Sequence, residues 1–318
     1  MQIFQCPTCA ERIYFENTRC RCGQEVTFDP DTQAMRADAP PCRNRAEIAC
    51  NWRADTGDFC RSCAMTRTVP DIGTPENVGL WARTETAKRW MLANLARWGW
   101  FGPDDPGARP IFRLLSEKTA SGDANVTMGH ASGVITINVS EASEAVRKER
   151  QENLGELYRT MLGHMRHEMA HFLQLRLMDH DGFPDDFRAV FGDEREDYGA
   201  ALKRYYKNPG QADNDHITAY ATAHPHEDWA ETTAHLLHLV DLLDSAVAAG
   251  LRLSDAVPGD YQAYREVDSD RLIAPAVAVA IAVNHVNRAM DLPDVYPFVL
   301  GPGVHRKLHR VHFWLRRG

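Results

Sequence analysis

Gly163-His164-Met165-Arg166-His167-Glu168-Met169-Ala170-His171-Phe172 decides how this 318-residue chain is read. The segment sits inside Leu154 to Met178, a stretch that predicts one long helix. Residues four apart on a helix share a face, so His167 and His171 aim two imidazoles at one point. Glu168 stands beside them, placed to take a proton from an attacking water. Met169 and Ala170 carry no charge, which suits a helix lying beneath a cleft. The pattern is HExxH, two metal-ligand histidines with a carboxylate base between them.

A hydrolytic zinc takes a third protein ligand and keeps a fourth position open. A glycine and a third histidine continuing the pattern along the same helix are absent, because Gln174 and Leu177 occupy those positions. His224-Pro225-His226-Glu227-Asp228-Trp229-Ala230-Glu231 offers a better source. Pro225 marks a helix start, and Glu227 and Glu231 then share a face. This resembles the gluzincin arrangement, in which a second helix supplies a glutamate. Glu227 is assigned as ligand and Glu231 as the carboxylate that orients a ligand histidine. Acids in a first helical turn also favour the helix dipole, which accounts for Glu227 without a metal. Glu194, Asp197, His226 and His164 stand as rival third ligands, His164 with packing or an orienting role as its first expectation.

All eight cysteines lie between Cys6 and Cys63. Clustered cysteine pairs in a reducing compartment point to metal rather than to disulfides. Cys6 and Cys9, with Cys20-Arg21-Cys22-Gly23 after them, resemble the two knuckles of a zinc ribbon, the second one residue short. Cys42, Cys50, Cys60 and Cys63 form a second set. Eight thiols suit two four-thiolate zinc sites, and the spacing leaves open whether the sets interleave. A module this small and this poor in apolar residues needs such staples.

The expected domains are a zinc-ribbon module over residues 1–70 and a catalytic domain over 71–318, separated by the Pro/Gly punctuation of Val69 to Pro75. Helices are expected at Glu76–Trp98, Glu194–Lys207, His226–Ala249, Leu272–Met290 and Val304–Arg317, with strands at Ile111–Leu115 and Val134–Val139. The fold class is therefore α+β, mostly helical. Lys plus Arg number 36 against 44 Asp plus Glu, a net charge of −8 that argues against a general nucleic-acid grip. No basic-then-apolar leader opens the chain, and the apolar run Ile273 to Val283 is short for a bilayer, so a cytoplasmic protein without membrane contact is expected. On the last helix Val304, Leu308, Val311 and Leu315 form a stripe, which predicts a docked helix with Arg306, Lys307, Arg310, Arg316 and Arg317 on a solvated face.

Several stretches carry a closer likeness: Tyr14-Phe15-Glu16-Asn17, Cys50-Asn51-Trp52, Gly129-His130 with Gly133 to Asn138, and Arg166-His167-Glu168. Ala223-His224-Pro225 with Glu227 to Thr232, Asn287-Arg288 and Tyr296 to Leu300 extend it over nearly the whole chain. With these the chain resembles a bacterial family of zinc-binding metallopeptidases that carry an N-terminal zinc ribbon. The resemblance implies a gluzincin-like, zincin-type catalytic domain behind the ribbon. The expected cofactors are one catalytic zinc and two structural zincs, and the expected activity is peptide hydrolysis with Glu168 as general base. A donor to the developing oxyanion is expected among Tyr220, His224, His226 and Tyr296. Val134 to Val139 resembles a zincin edge strand able to pair with an extended peptide. The competing expectation is an adaptor, in which the ribbon recruits a partner and the zincin body is a scaffold. The retained Glu168 weighs against it.

Overall fold

The computed structural model describes residues 1–55, 57–154, 160–251, 257–295 and 300–317. They divide into two compact units, Met1–Met165 and Arg166–Gly318. The boundary near residue 70 that the sequence punctuation suggests falls inside the first of these units.

The first unit opens with β1 (Phe4–Gln5) and β2 (Arg12–Ile13), then β3 (Thr27–Asp29) and β4 (Ala34–Arg36), two antiparallel pairs. Short helices α1 (Arg45–Ile48) and α2 (Arg61–Ala64) lead to β5 (Thr66–Thr68) and the long α3 (Pro75–Ala96). Strands β6 (Ile111–Leu115), β7 (Lys118–Thr119), β8 (Gly122–Asp123), β9 (Gly129–Ala131) and β10 (Val134–Asn138) follow, then α4 (Glu144–Leu154). The cysteine-rich segment builds its core from aromatic rings rather than from long apolar runs. Phe28 meets Phe4, Phe15 and Trp52 with centroids 5.7, 4.9 and 5.9 Å apart, and Phe15 meets Trp90 of α3 at 5.2 Å. The three edge-to-face pairs among these, Phe28 with Phe4, Phe28 with Phe15 and Phe15 with Trp90, each contribute about 0.5–1.5 kcal/mol beyond area burial. Strand β5 pairs parallel with β6, so the segment's last strand belongs to the sheet that follows it.

That sheet has the order β5-β6-β10-β9. β10 is parallel to β6 and antiparallel to β9, so it is an interior strand. The expectation that Val134 to Val139 forms an exposed edge is therefore corrected. Its backbone groups are engaged on both sides, and Ile135 and Ile137 are fully buried.

Helix α5 (Met161–Leu177) begins at Met161, and the part of the expected helix over 155–159 lies outside the described residues. The second unit continues with α6 (Phe183–Phe191), α7 (Tyr198–Lys207), α8 (Pro225–Ala248), α9 (Ser269–Ala289) and α10 (Pro302–Leu315). Helix α7 starts later than expected because the Asp197 carboxylate caps it, accepting from Ala200 N at 2.9 Å. Helix α6 is not among the expected helices, although Phe183, Phe187 and Phe191 recur at helical spacing behind Gly182 and Pro184. Those rings close on Trp229 of α8 at 5.2, 6.0 and 5.5 Å, and Phe183 meets Trp314 of α10 at 5.2 Å.

The α10 stripe is buried as expected, with Val304, Leu308, Val311 and Leu315 all at 1% exposure or less. Lys307 departs from the expected solvated face. It is buried, donates to the Asp228 carboxylate and to the Asp215 carbonyl, and so anchors α10 to the start of α8. Helix α9 is longer than the apolar run that suggested it. Its 21 residues, with a mean hydropathy of 1.3 over the most apolar window, meet the length and composition needed to cross a membrane. One face of it, Leu272, Ile273, Ala276, Val279 and Ala280, is buried in this unit, where α9 packs on α8.

Candidate metal centre

Two helices supply the HExxH site, and all of its residues lie in the second unit. α5 presents His167 and His171 one turn apart. α8 starts at Pro225, with His224 as its N-cap, which puts Glu227 in its first turn and Glu231 one turn further. Trp229 Nε1 donates to the Ala170 carbonyl at 3.0 Å and locks α8 against α5.

The ligand atoms converge. His167 Nε2 and His171 Nε2 are 3.2 Å apart, and Glu227 Oε2 lies 3.1 and 3.5 Å from them. A tetrahedral zinc with bonds of about 2.0–2.1 Å sets its ligand atoms about 3.3 Å apart. The three atoms thus outline one face of such a tetrahedron.

Neighbouring groups fix which atom faces this point. His167 Nδ1 donates to Glu231 Oε1 at 2.6 Å, leaving the Nε2 lone pair directed inward. Glu231 is held in turn by Thr218, whose hydroxyl donates to Oε2 at 2.8 Å. Tyr198 Oη donates to Glu227 Oε1 at 2.6 Å, so Oε2 is the oxygen that turns to the histidines. Burial alone would raise the Glu227 pKa, but His167 and His171 outweigh it and hold the carboxyl well below its ordinary value. Burial works against a charged His167, yet Glu227 and Glu231 outweigh it and raise the imidazole well above the usual range. The groups around this point stabilise positive charge, a balance that a dication would also satisfy.

Three of the four rival ligands, Glu194, Asp197 and His226, are engaged elsewhere. Glu194 is held by the Arg188 guanidinium, with Nε 3.0 Å from Oε2. Asp197 caps α7, and His226 Nδ1 donates to Gln174 Oε1 at 2.8 Å. Burial, reinforced by His224 and His171, brings His226 down to about 4, so it is neutral at pH 7. His164 lies 3.5 Å from the Glu141 carboxylate.

Of the expected oxyanion donors, Tyr220 sits in a turn (Tyr220–Ala223) with its ring 6.0 Å from that of His167. His224 is corrected: its Nδ1 accepts from His226 N at 3.1 Å and its Nε2 donates to the Glu196 carbonyl at 3.2 Å, so neither nitrogen is available. Tyr296 lies outside the described residues. Tyr198 is the residue that sequence reasoning misses. Burial, then the charge of Glu227, raises its phenol far above the ordinary value, and Glu168 adds to the effect. Tyr220 is raised for the first two of these reasons.

The cysteines resolve into Cys6, Cys9, Cys20 and Cys22 in one group, and Cys42, Cys50, Cys60 and Cys63 in the other, without interleaving. Sulfur pairs Cys6–Cys22, Cys9–Cys20, Cys50–Cys60 and Cys50–Cys63 are 3.9, 3.7, 3.7 and 3.8 Å apart. Zinc–sulfur bonds of about 2.3 Å in a tetrahedron set sulfurs about 3.8 Å apart, whereas a disulfide needs about 2.05 Å. Both groups fit zinc. The shortened second knuckle closes because Gly23, at φ +92°, adopts a left-handed turn and donates to the Cys20 carbonyl at 2.9 Å.

The family model described as "Putative zinc-binding metallo-peptidase" matches residues 77–314, the stretch that holds both helices of the HExxH site. The chain belongs to this family. A zinc-ribbon domain model matches residues 3–41 of this metallopeptidase-family chain, the segment that holds the first four-cysteine group. Similar proteins include "Uncharacterized protein Rv2568c" of Mycobacterium tuberculosis and "Uncharacterized protein Mb2598c" of Mycobacterium bovis. Each is 36% identical, covering 98% of this chain and 94% of its own length. No solved structure matches the chain significantly. Family and residues together mark it as a zinc-dependent hydrolase of the metallopeptidase kind.

Proposed function

We propose that the chain hydrolyses peptide bonds, with one catalytic zinc held by His167, His171 and Glu227 and two structural zincs held by the cysteine groups. The carrying observation is the triangle of ligand atoms at 3.1, 3.2 and 3.5 Å on two helices locked together by Trp229. When bound, zinc acidifies a water and polarises a carbonyl. Glu168 follows His167 directly on α5 and accepts the proton that the attacking water gives up. It then returns this proton to the leaving amine. Glu231 keeps the His167 tautomer fixed through Nδ1, and Thr218 keeps Glu231 in place. Tyr198 and Tyr220 both remain protonated at neutral pH. Tyr198 is committed to Glu227, so the donor to a developing oxyanion is assigned to Tyr220, with Tyr296 as the other tyrosine candidate. Reduced thiolate sites suit a reducing compartment, which supports a cytoplasmic setting.

The test is a diverse peptide library incubated with the purified chain. Cleavage is expected, with loss on strong chelation and recovery on zinc addition. If nothing is cleaved under any condition while a partner is bound through the cysteine segment, the protein is an adaptor instead.

A further inference from the structure

Away from the HExxH site, the second unit carries another convergence of ligand-type side chains. His305 and His309 stand four apart on α10 and so share a face, the same i, i+4 spacing that lets two imidazoles reach one ion. Asp270, in the first turn of α9, completes the set: one ligand atom from each of the three residues lies within 4.8 Å of the other two. His309 Nε2 is 2.9 Å from Asp270 Oδ1, a hydrogen bond that already brings the two side chains together. Asp270 is held in place from below, since the Asp268 carboxylate caps α9 by accepting from Asp270 N at 2.9 Å. The cluster borders a groove of about 540 Å³ lined by His305, His309, Ser269, Phe313 and the α10 arginines.

Charge nearby would oppose a cation if it were unbalanced. Two of the three arginines that line the groove, Arg310 and Arg306, turn toward carboxylates of their own, Asp186 at 3.4 Å and Asp215 at 3.8 Å, which among the described residues leaves Arg316 as the cation facing it. Two imidazoles and one carboxylate are the ligand set of borderline ions such as Zn²⁺, Ni²⁺ and Cu²⁺, not of Mg²⁺ or Ca²⁺, which prefer oxygen throughout. Three protein ligands on one side leave the remaining positions open to the groove.

We propose that Asp270, His305 and His309 form a further metal site that takes a divalent transition-metal ion, with its outer coordination positions facing the groove. The site shares no residue with the HExxH centre or the cysteine groups, so it stands or falls independently of the hydrolase reading. A hydrogen bond stapling α10 to α9 would use His309 and Asp270 alone and give His305 no part. This difference makes the two readings separable.

The experiment titrates the full-length protein, carrying its tightly retained metal, with Zn²⁺ against a competing chromophoric chelator. Wild type is expected to take up about one further equivalent. His305→Ala and Asp270→Asn should each weaken that uptake at least ~10-fold. Retained metal and the circular dichroism spectrum should be unchanged in both, since these side chains lie at the surface. Absence of the further equivalent in wild type overturns the proposal. So does its persistence at unchanged affinity in the doubly substituted His305→Ala, His309→Ala protein.

Discussion

Replacing Glu168 with Gln is expected to lower peptide hydrolysis by at least ~10²-fold, the low end of what a positioned general base contributes, while all bound zinc is retained. The helix sets this division of roles. Glu168 directly follows His167, so its carboxylate projects beside the ligand face rather than into the triangle of Nε2, Nε2 and Oε2. Gln keeps the size and most of the hydrogen bonding of Glu but has no basic oxygen pair. The loss should appear in kcat, because the proton moves only during the chemical step. Equal rates in wild type and variant would place the chemistry elsewhere in the molecule.

Glu227→Ala is expected to empty the HExxH site and abolish hydrolysis, with the cysteine groups still loaded. Glu227 is 1% exposed and is the carboxylate that comes within 3.5 Å of both imidazoles. Removing it deletes a ligand and leaves two histidines, too few for a hydrolytic zinc. Tyr198→Phe should act in the same direction but less, weakening metal retention ~10–100-fold as loss of an orienting hydrogen bond does. Glu194→Ala and Asp197→Ala should leave the metal in place, because these carboxylates serve Arg188 and the α7 cap. Metal content by elemental analysis decides among them. Full occupancy in Glu227→Ala with loss in Glu194→Ala would overturn the ligand assignment.

The parts of this site that sequence shows are those that depend on spacing along one helix. His167 and His171 are four apart, as are Glu227 and Glu231, and the spacing by itself puts each pair on a shared face. The helical body and the strands at Ile111–Leu115 and Val134–Asn138 are legible for the same reason. What depends on packing between elements is not. Tyr198 reaches Glu227 from 29 residues away, and a lone tyrosine at a helix start carries no periodic signal. The burial of Lys307 is equally silent, because its partner Asp228 lies in another helix. Whether a strand is an edge depends on its neighbours, which is why β10 reads as exposed and proves to be interior. The cysteine grouping also needs three dimensions, since the spacings alone allow interleaved sets.

A single zinc between α5 and α8 underlies every catalytic step proposed here, and anomalous scattering at the zinc absorption edge from crystals of the full chain looks for that ion directly. Three peaks are expected, one in each cysteine group and one about 2.0–2.1 Å from His167 Nε2, His171 Nε2 and Glu227 Oε2. Two peaks confined to the cysteine groups, with no metal density between the two helices at full zinc loading, would contradict the proposed centre.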